Sequence, residues 1–194
     1  MAKQAREQEQ ALLATLEEST GHSLTQWMSM IPASGETKTN AIIKWIKATH
    51  SLNHRQATLL TGIYLNDGKP VYDYEVMFAK LFEGKAEQRP LYNELHAAIT
   101  AAIPEAGFIP TKAYVSIEAE RVFGCVKINA RNIRLGLDLG EAPFTDTLVA
   151  AKGLGAMPNI AHMTELTHVD AITADVSTAV KQAYLRQVQL DSTS

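Results

Sequence analysis

Residues 112–139, KAYVSIEAERVFGCVKINARNIRLGLDL, constrain the fold more than any other stretch. Within it Ala113–Ile117, Val122–Ile128 and Ile133–Leu139 alternate large apolar residues with others at period two. Successive side chains of a pleated backbone point to opposite sides, so this period predicts strands with one buried face. Three such runs close together predict an antiparallel meander. Helical periodicity precedes the meander and returns after it. The order helix, meander, helix favours an α+β fold with an antiparallel sheet flanked by helices over alternating α/β.

The segments before the meander read as helices. Residues 3–19 carry a narrow stripe of Leu12, Leu13 and Leu16, and Gly21 supplies a left-handed stop. Ser23–Gln26 and Asn53–Gln56 fit capping boxes, in which the cap side chain and the residue three positions on satisfy each other's amides. The first box opens a short helix with Trp27, Met28 and Ile31, which Pro32 interrupts. A helix over 40–50 follows, capped by Thr37 or Thr39, with Ile42, Trp45, Ile46 and Thr49 on one face. The second box opens a helix through Ala57, Leu60, Ile63 and Tyr64. Residues 1–65 therefore read as a helical module and Asn66–Pro70 as a linker, with an α+β domain over 71–190. In that domain helices are predicted over 72–82 and 91–103. A fourth strand is read at 160–166, after a connection containing Gly153, Gly155 and Pro158. A last helix runs over 170–188 with Asp170 as its N-cap.

Composition removes several function classes. Cys125 is the only cysteine, which excludes an intrachain disulfide and a cysteine zinc cluster. No apolar run approaches the roughly 20 residues that span a bilayer, and MAKQAREQEQ lacks the apolar core of a signal peptide, so a cytoplasmic protein without membrane contact is expected. A net charge of −3 does not mark a general polyanion binder. Charge is uneven along the chain, however. From His22 to Leu65 one acid, Glu36, stands against Lys38, Lys44, Lys47 and Arg55.

Chemical motifs are sparse. Gly153-Leu-Gly155 lacks the following Lys-Ser/Thr of a phosphate loop and precedes Pro158 rather than a helix. Cys125 lies inside an apolar strand, where a free thiol usually serves as a small hydrophobe, although Arg121 and Lys127 are near it in sequence. His162, His168 and Asp170 offer ligand chemistry without a standard ligand spacing, and hydrogen-bonded structural roles account for them more simply. Glu118 and Glu120 fit a wet sheet edge as well as an acid/base pair. No catalytic, cofactor-binding or metal-ligating residue is assigned.

Two groups remain. Lys38, Lys44, Lys47, His50, His54 and Arg55 fall in consecutive helix and turn elements, a pattern that can neutralise phosphates. The simpler account is a solvated basic face on a helical bundle. Lys112, Tyr114, Arg134 and His162, with Ser116 and Phe123 nearby in the sheet, form a second group that could line a pocket or an aromatic, basic sheet face. The first function expected is a non-enzymatic binding module for nucleic acid or another anionic partner. The alternatives are a small-molecule or metal-handling domain around His162, His168 and Lys112, and a structural module assembling as a homo-oligomer.

Further residues carry a resemblance. Thr20-Gly-His-Ser-Leu-Thr-Gln-Trp27, Ser34-Gly-Glu-Thr-Lys38, Ile43-Lys-Trp-Ile-Lys47 and His50-Ser-Leu-Asn-His54 resemble a bacterial helical domain of unknown function. Glu83-Gly-Lys-Ala-Glu-Gln-Arg-Pro-Leu-Tyr92, Lys112-Ala-Tyr-Val-Ser116, Leu135-Gly-Leu137, His162 and Ala183-Tyr184 resemble a second uncharacterised domain that often follows it. The latter is distantly similar to YdhG-like and frataxin-like domains. The resemblance implies the two-part architecture and assigns no catalytic residue. This chain departs from it at Glu118-Ala-Glu-Arg121, where relatives carry Lys and Arg, and at Ile160-Ala-His-Met163, where relatives carry Cys-Thr-His-Arg. Those departures weaken an anion-binding hairpin and a thiol–imidazole pair.

Overall fold

The structure, a computed structural model, describes residues 2–154 and 159–191, and side chains over 6–154 and 159–189. Gly155 and Pro158, read above as part of a connection, lie outside the described residues. Internal contacts divide the chain into two compact units, meeting at Asp73 and Tyr74.

The first unit holds α1 (Ala2–Thr20), α2 (Leu24–Ala33), α3 (Thr39–His50) and α4 (His54–Leu65). Local chemistry explains their ends. Gly21 takes φ +73° after α1, and both capping boxes close, with Gln26 N donating to Ser23 Oγ at 3.3 Å and Gln56 N to Asn53 Oδ1 at 2.9 Å. As expected, α2 does not continue beyond the turn that contains Pro32 and ends at Ala33. One expectation needs correction. The N-cap of α3 is Lys38, whose side chain makes no capping bond, rather than Thr37 or Thr39. Trp27, Ile31, Ile42, Ile46, Ala57 and Leu60 are fully buried together at the centre of this unit.

The Asn66–Pro70 turn is fastened by Asn66, whose Nδ2 donates to the carbonyls of Lys69 (3.1 Å) and Pro70 (3.0 Å). Beyond it Glu9 reaches across from α1. Only 1% exposed, its two carboxylate oxygens accept from Val71 N at 2.8 Å and Tyr72 N at 2.9 Å. A buried carboxylate is tolerated when it is hydrogen-bonded in this way, and here it ties the first helix to the end of the unit.

The second unit contains α5 (Tyr74–Leu81), α6 (Arg89–Ala102), β1 (Gly107–Pro110), β2 (Val115–Glu118), β3 (Val122–Ile128), β4 (Ile133–Leu137), β5 (Val149–Ala150), β6 (His162–Leu166) and α7 (Ala174–Asp191). Among the described residues the strands form one antiparallel sheet in the order β1-β2-β3-β4-β6-β5. The expected meander is its centre. The edge strands β1 and β5 are additions, and β1 changes the reading of Glu118. Pairing of Gly107 with Glu118 covers that residue, so it is buried rather than at a wet edge. Asp170 lies in a short 3-10 turn (Val169–Ala171), and Thr173 Oγ1 instead accepts from Val176 N at the start of α7.

Register assigns each strand residue a face. Val115, Val126 and Leu135 form one cross-strand row and Ile117, Gly124, Leu137 and His162 the next. This face packs on Leu91, Leu95 and Ile99 of α6 and Val176, Val180 and Ala183 of α7. The row Ser116, Cys125, Gly136 and Met163 points the other way, beneath Leu154 and Ile160 of the β5–β6 connection. A Cβ on Gly136 would lie 2.5 Å from Leu154 Cδ1 and 2.7 Å from Ile160 Cγ2, so the connection closes down only because this position is glycine.

Candidate anion-binding site

The basic residues of the first unit do not act as one set. In α3, Asn40, Ile43, Lys44, Lys47 and Ala48 follow the i, i+3, i+4, i+7, i+8 spacing that places them on a single stripe. The chain then turns through Ser51, in the left-handed region at φ +55°, buries Leu52, and enters α4 at His54. The stripe and His54 line one open groove of about 460 Å³. Ile43, 8% exposed, and Ala48 give the groove an apolar floor, while Lys44, Lys47 and His54 are exposed along it. Among the described residues its lining contains no carboxylate. His54 opens α4, so the groove borders the first residue of that helix.

Lys38 and Arg55 are exposed but do not line the groove. His50 is turned elsewhere. Its ring centroid lies 4.5 Å from Trp27, 5.3 Å from Trp45 and 5.5 Å from His22, all at steep interplanar angles, in a cluster on the first unit. Burial, and secondarily the nearby His22, lowers the His50 pKa from its ordinary 6.5, and its Nε2 is buried without a hydrogen-bond partner. His50 is therefore a neutral packing residue at pH 7, not a basic surface group. Thr20 Oγ1 accepts from Trp27 Nε1 at 3.1 Å and completes the surroundings of this cluster. The cluster had a sequence signal, the repeated pairing of a His and a Trp five residues apart (His22 with Trp27, Trp45 with His50), but nothing local says that the pairs meet.

Lys112, Tyr114, Arg134 and His162 do not converge. Lys112 is exposed in the turn held by Thr111, whose Oγ1 donates to Tyr114 O at 2.7 Å. Three strand spacings, about 14 Å, separate β2 from β6. Tyr114 packs on the Cys125 side of the sheet. Arg134 points to that side as well, but both ends of its guanidinium are committed, Nε to Glu165 at 2.9 Å and Nη1 to Lys152 O at 3.3 Å. His162, 1% exposed, lies on the opposite, helix-covered face, with Nε2 2.8 Å from Ala142 O and its ring 4.7 Å from Phe144. A carbonyl only accepts, so Nε2 carries the proton. His168 is exposed ahead of the Val169–Ala171 turn. Alternation at period two separates Arg134 from His162, and this is the physical reason that the expected pocket does not form.

Other singled-out residues have structural roles. Burial pushes the Cys125 thiol up to about 11, which keeps it protonated and unreactive despite Lys127 nearby. Lys85 Nζ donates to Ile128 O at 2.9 Å and Leu81 O at 3.3 Å, Gln88 Nε2 donates to Ala130 O at 3.2 Å, and the Arg89 guanidinium sits 3.8 Å over the Phe82 ring. These contacts explain the Glu83–Tyr92 motif as a clamp on the β3–β4 hairpin. Among the described residues no group of three or more His, Cys, Asp or Glu is arranged to hold a metal ion, and no helix is long and apolar enough to cross a membrane.

The order of a helical unit, a meander and a closing helix, with the Glu83–Tyr92 clamp, is matched by family models. Residues 78–187 match the domain of unknown function DUF5655. The chain belongs to the DUF5655 family. Residues 8–65, which include the groove, match a second domain of unknown function, DUF4287, so the two stand in the order that the resemblance implied. The DUF5655 region contains the sheet, Cys125 and His162, and the DUF4287 region contains Lys44, Lys47 and His54. Neither model is described as YdhG-like or frataxin-like. No curated protein and no solved structure matches the chain.

Proposed function

We propose that this protein is a non-enzymatic binding module that engages an anionic partner, nucleic acid among the candidates, through the α3–α4 groove. The observation that carries the reading is the convergence of Lys44, Lys47 and His54 on one open groove whose lining holds no carboxylate among the described residues. Two ammonium groups on adjacent helical turns attract an anion at short range. Binding is favoured over catalysis because the candidate nucleophile Cys125 is sealed and protonated, while Arg134 and His162 lie on opposite faces of the sheet and Lys112 in the turn before β2.

Retention of the full chain on phosphocellulose tests the reading, since that matrix offers phosphate without sequence. The wild type should be held at low salt and released as salt screens the lysines. Lys44→Ala with Lys47→Ala should elute markedly earlier, whereas Lys38→Ala with Arg55→Ala, an equal loss of charge outside the groove, should elute close to wild type. Failure of the wild type to bind at low salt, or equal shifts for the two double variants, would sink it.

A further inference from the structure

We infer that the α3–α4 groove is a site for a small phosphate monoester with an apolar body, rather than a contact surface for a polymer. This rests on the anion-binding reading and adds the ligand class. Three observations carry it. The groove is shallow and open, and its volume of about 460 Å³ falls inside the roughly 300–1,000 Å³ of small-molecule sites.

Its chemistry is also divided as an amphipathic ligand requires. Ile43 and Ala48 supply an apolar floor, and Lys44, Lys47, His54 and Asn40 supply donors around it. Two permanent cations match the two charges of a phosphate monoester, whereas a phosphodiester offers one. Among the described residues no Phe, Tyr or Trp lines the groove, and His54 is its one ring, so the series of rings on which successive bases of a single strand stack is missing there.

The third observation is the charge of the whole first unit. Residues 1–73 contain seven Lys and Arg and seven Asp and Glu. A polyanion long enough to cross the unit meets balanced charge. A small ligand seated in the groove meets Lys44 and Lys47 and no lining carboxylate among the described residues.

The experiment is amide-detected NMR titration of the full chain with three probes: phenyl phosphate, inorganic phosphate and a 20-base-pair DNA duplex of mixed sequence. Phenyl phosphate should shift amides of Asn40–Ala48 and of His54, and should bind more tightly than inorganic phosphate because only it reaches the apolar floor. Lys44→Gln with Lys47→Gln should weaken it about tenfold. Ala48→Glu should abolish the shifts by placing a carboxylate in the groove. Ala48 is exposed, so the fold should persist, and unchanged dispersion elsewhere in the spectrum checks this. Duplex shifts at the groove without phenyl phosphate shifts would overturn the inference and leave the anion-binding reading standing. Silence of the groove amides toward all three probes would overturn both. Phenyl phosphate binding untouched by the lysine and Ala48 variants would show that the ligand sits elsewhere, and would also overturn the inference.

Discussion

Removing the Glu9 carboxylate should unfasten α1 from the end of the first unit. Glu9 is 1% exposed and accepts one backbone N–H on each oxygen, at 2.8 Å from Val71 and 2.9 Å from Tyr72. Hydrogen bonds to a charged group contribute about 1.5–3 kcal/mol each, and donors left unpaired add a desolvation cost. Val71 and Tyr72 are only part-buried, so water can recover some of this in a variant. Glu9→Ala should therefore cost about 3 kcal/mol, a large part of the stability of a small unit. Glu9→Gln keeps one acceptor but turns an NH2 toward the second amide, and should cost about half as much. Both tryptophans, Trp27 and Trp45, lie in the first unit, so intrinsic fluorescence during urea unfolding reports that unit within the full chain. With an m value of about 1–1.5 kcal/mol/M, the alanine variant's midpoint should fall by about 2–3 M. An alanine variant costing less than about 1 kcal/mol, or a glutamine variant as damaging as alanine, would refute the reasoning.

Three other outcomes follow from the packing. Gly136→Ala should destabilise the sheet by about 1–3 kcal/mol, since its Cβ would sit 2.5 Å from Leu154 and 2.7 Å from Ile160, and thermal unfolding by circular dichroism measures the loss. The folded pKa of His50 lies below its ordinary 6.5, so its unfolded form binds protons first as pH falls. Stability of the first unit should thus be level above about pH 6.5 and decline below it, and His50→Phe should flatten that decline in fluorescence-monitored urea midpoints. Cys125, buried with its thiol pushed up to about 11, should resist iodoacetamide at pH 8 and react fully in urea, as mass spectrometry would show; rapid native labelling would contradict the sealed site.

Part of the candidate site was legible before the fold. Lys44, Lys47 and His54 belong to the basic group from Lys38 to Arg55 that falls in consecutive helix and turn elements, but which of its members share one groove is set by the α3 stripe and the α3–α4 turn. His50 belongs to the same run of sequence but not to the groove. Whether a residue near the end of α3 faces solvent or Trp27 depends on where α2 lies, and no local pattern contains that information. Glu9 was equally illegible. An acid on a polar helix reads as a solvated charge until the segment 62 residues later is brought to it.

The sequence by itself determined the elements whose causes are local. Both capping boxes, the Gly21 stop, the three central strands and the α+β order follow from contacts within about four residues or from side-chain periodicity. Only the tertiary structure decided the rest. The four residues of β1 and the two of β5 are too few to show a period, and they become strands because a neighbour offers its free edge. Cross-strand register, in turn, sent Arg134 and His162 to opposite faces of one sheet and dissolved the pocket that their chemistry suggested. Pairing across space is a property of two segments at once, and neither segment carries it alone.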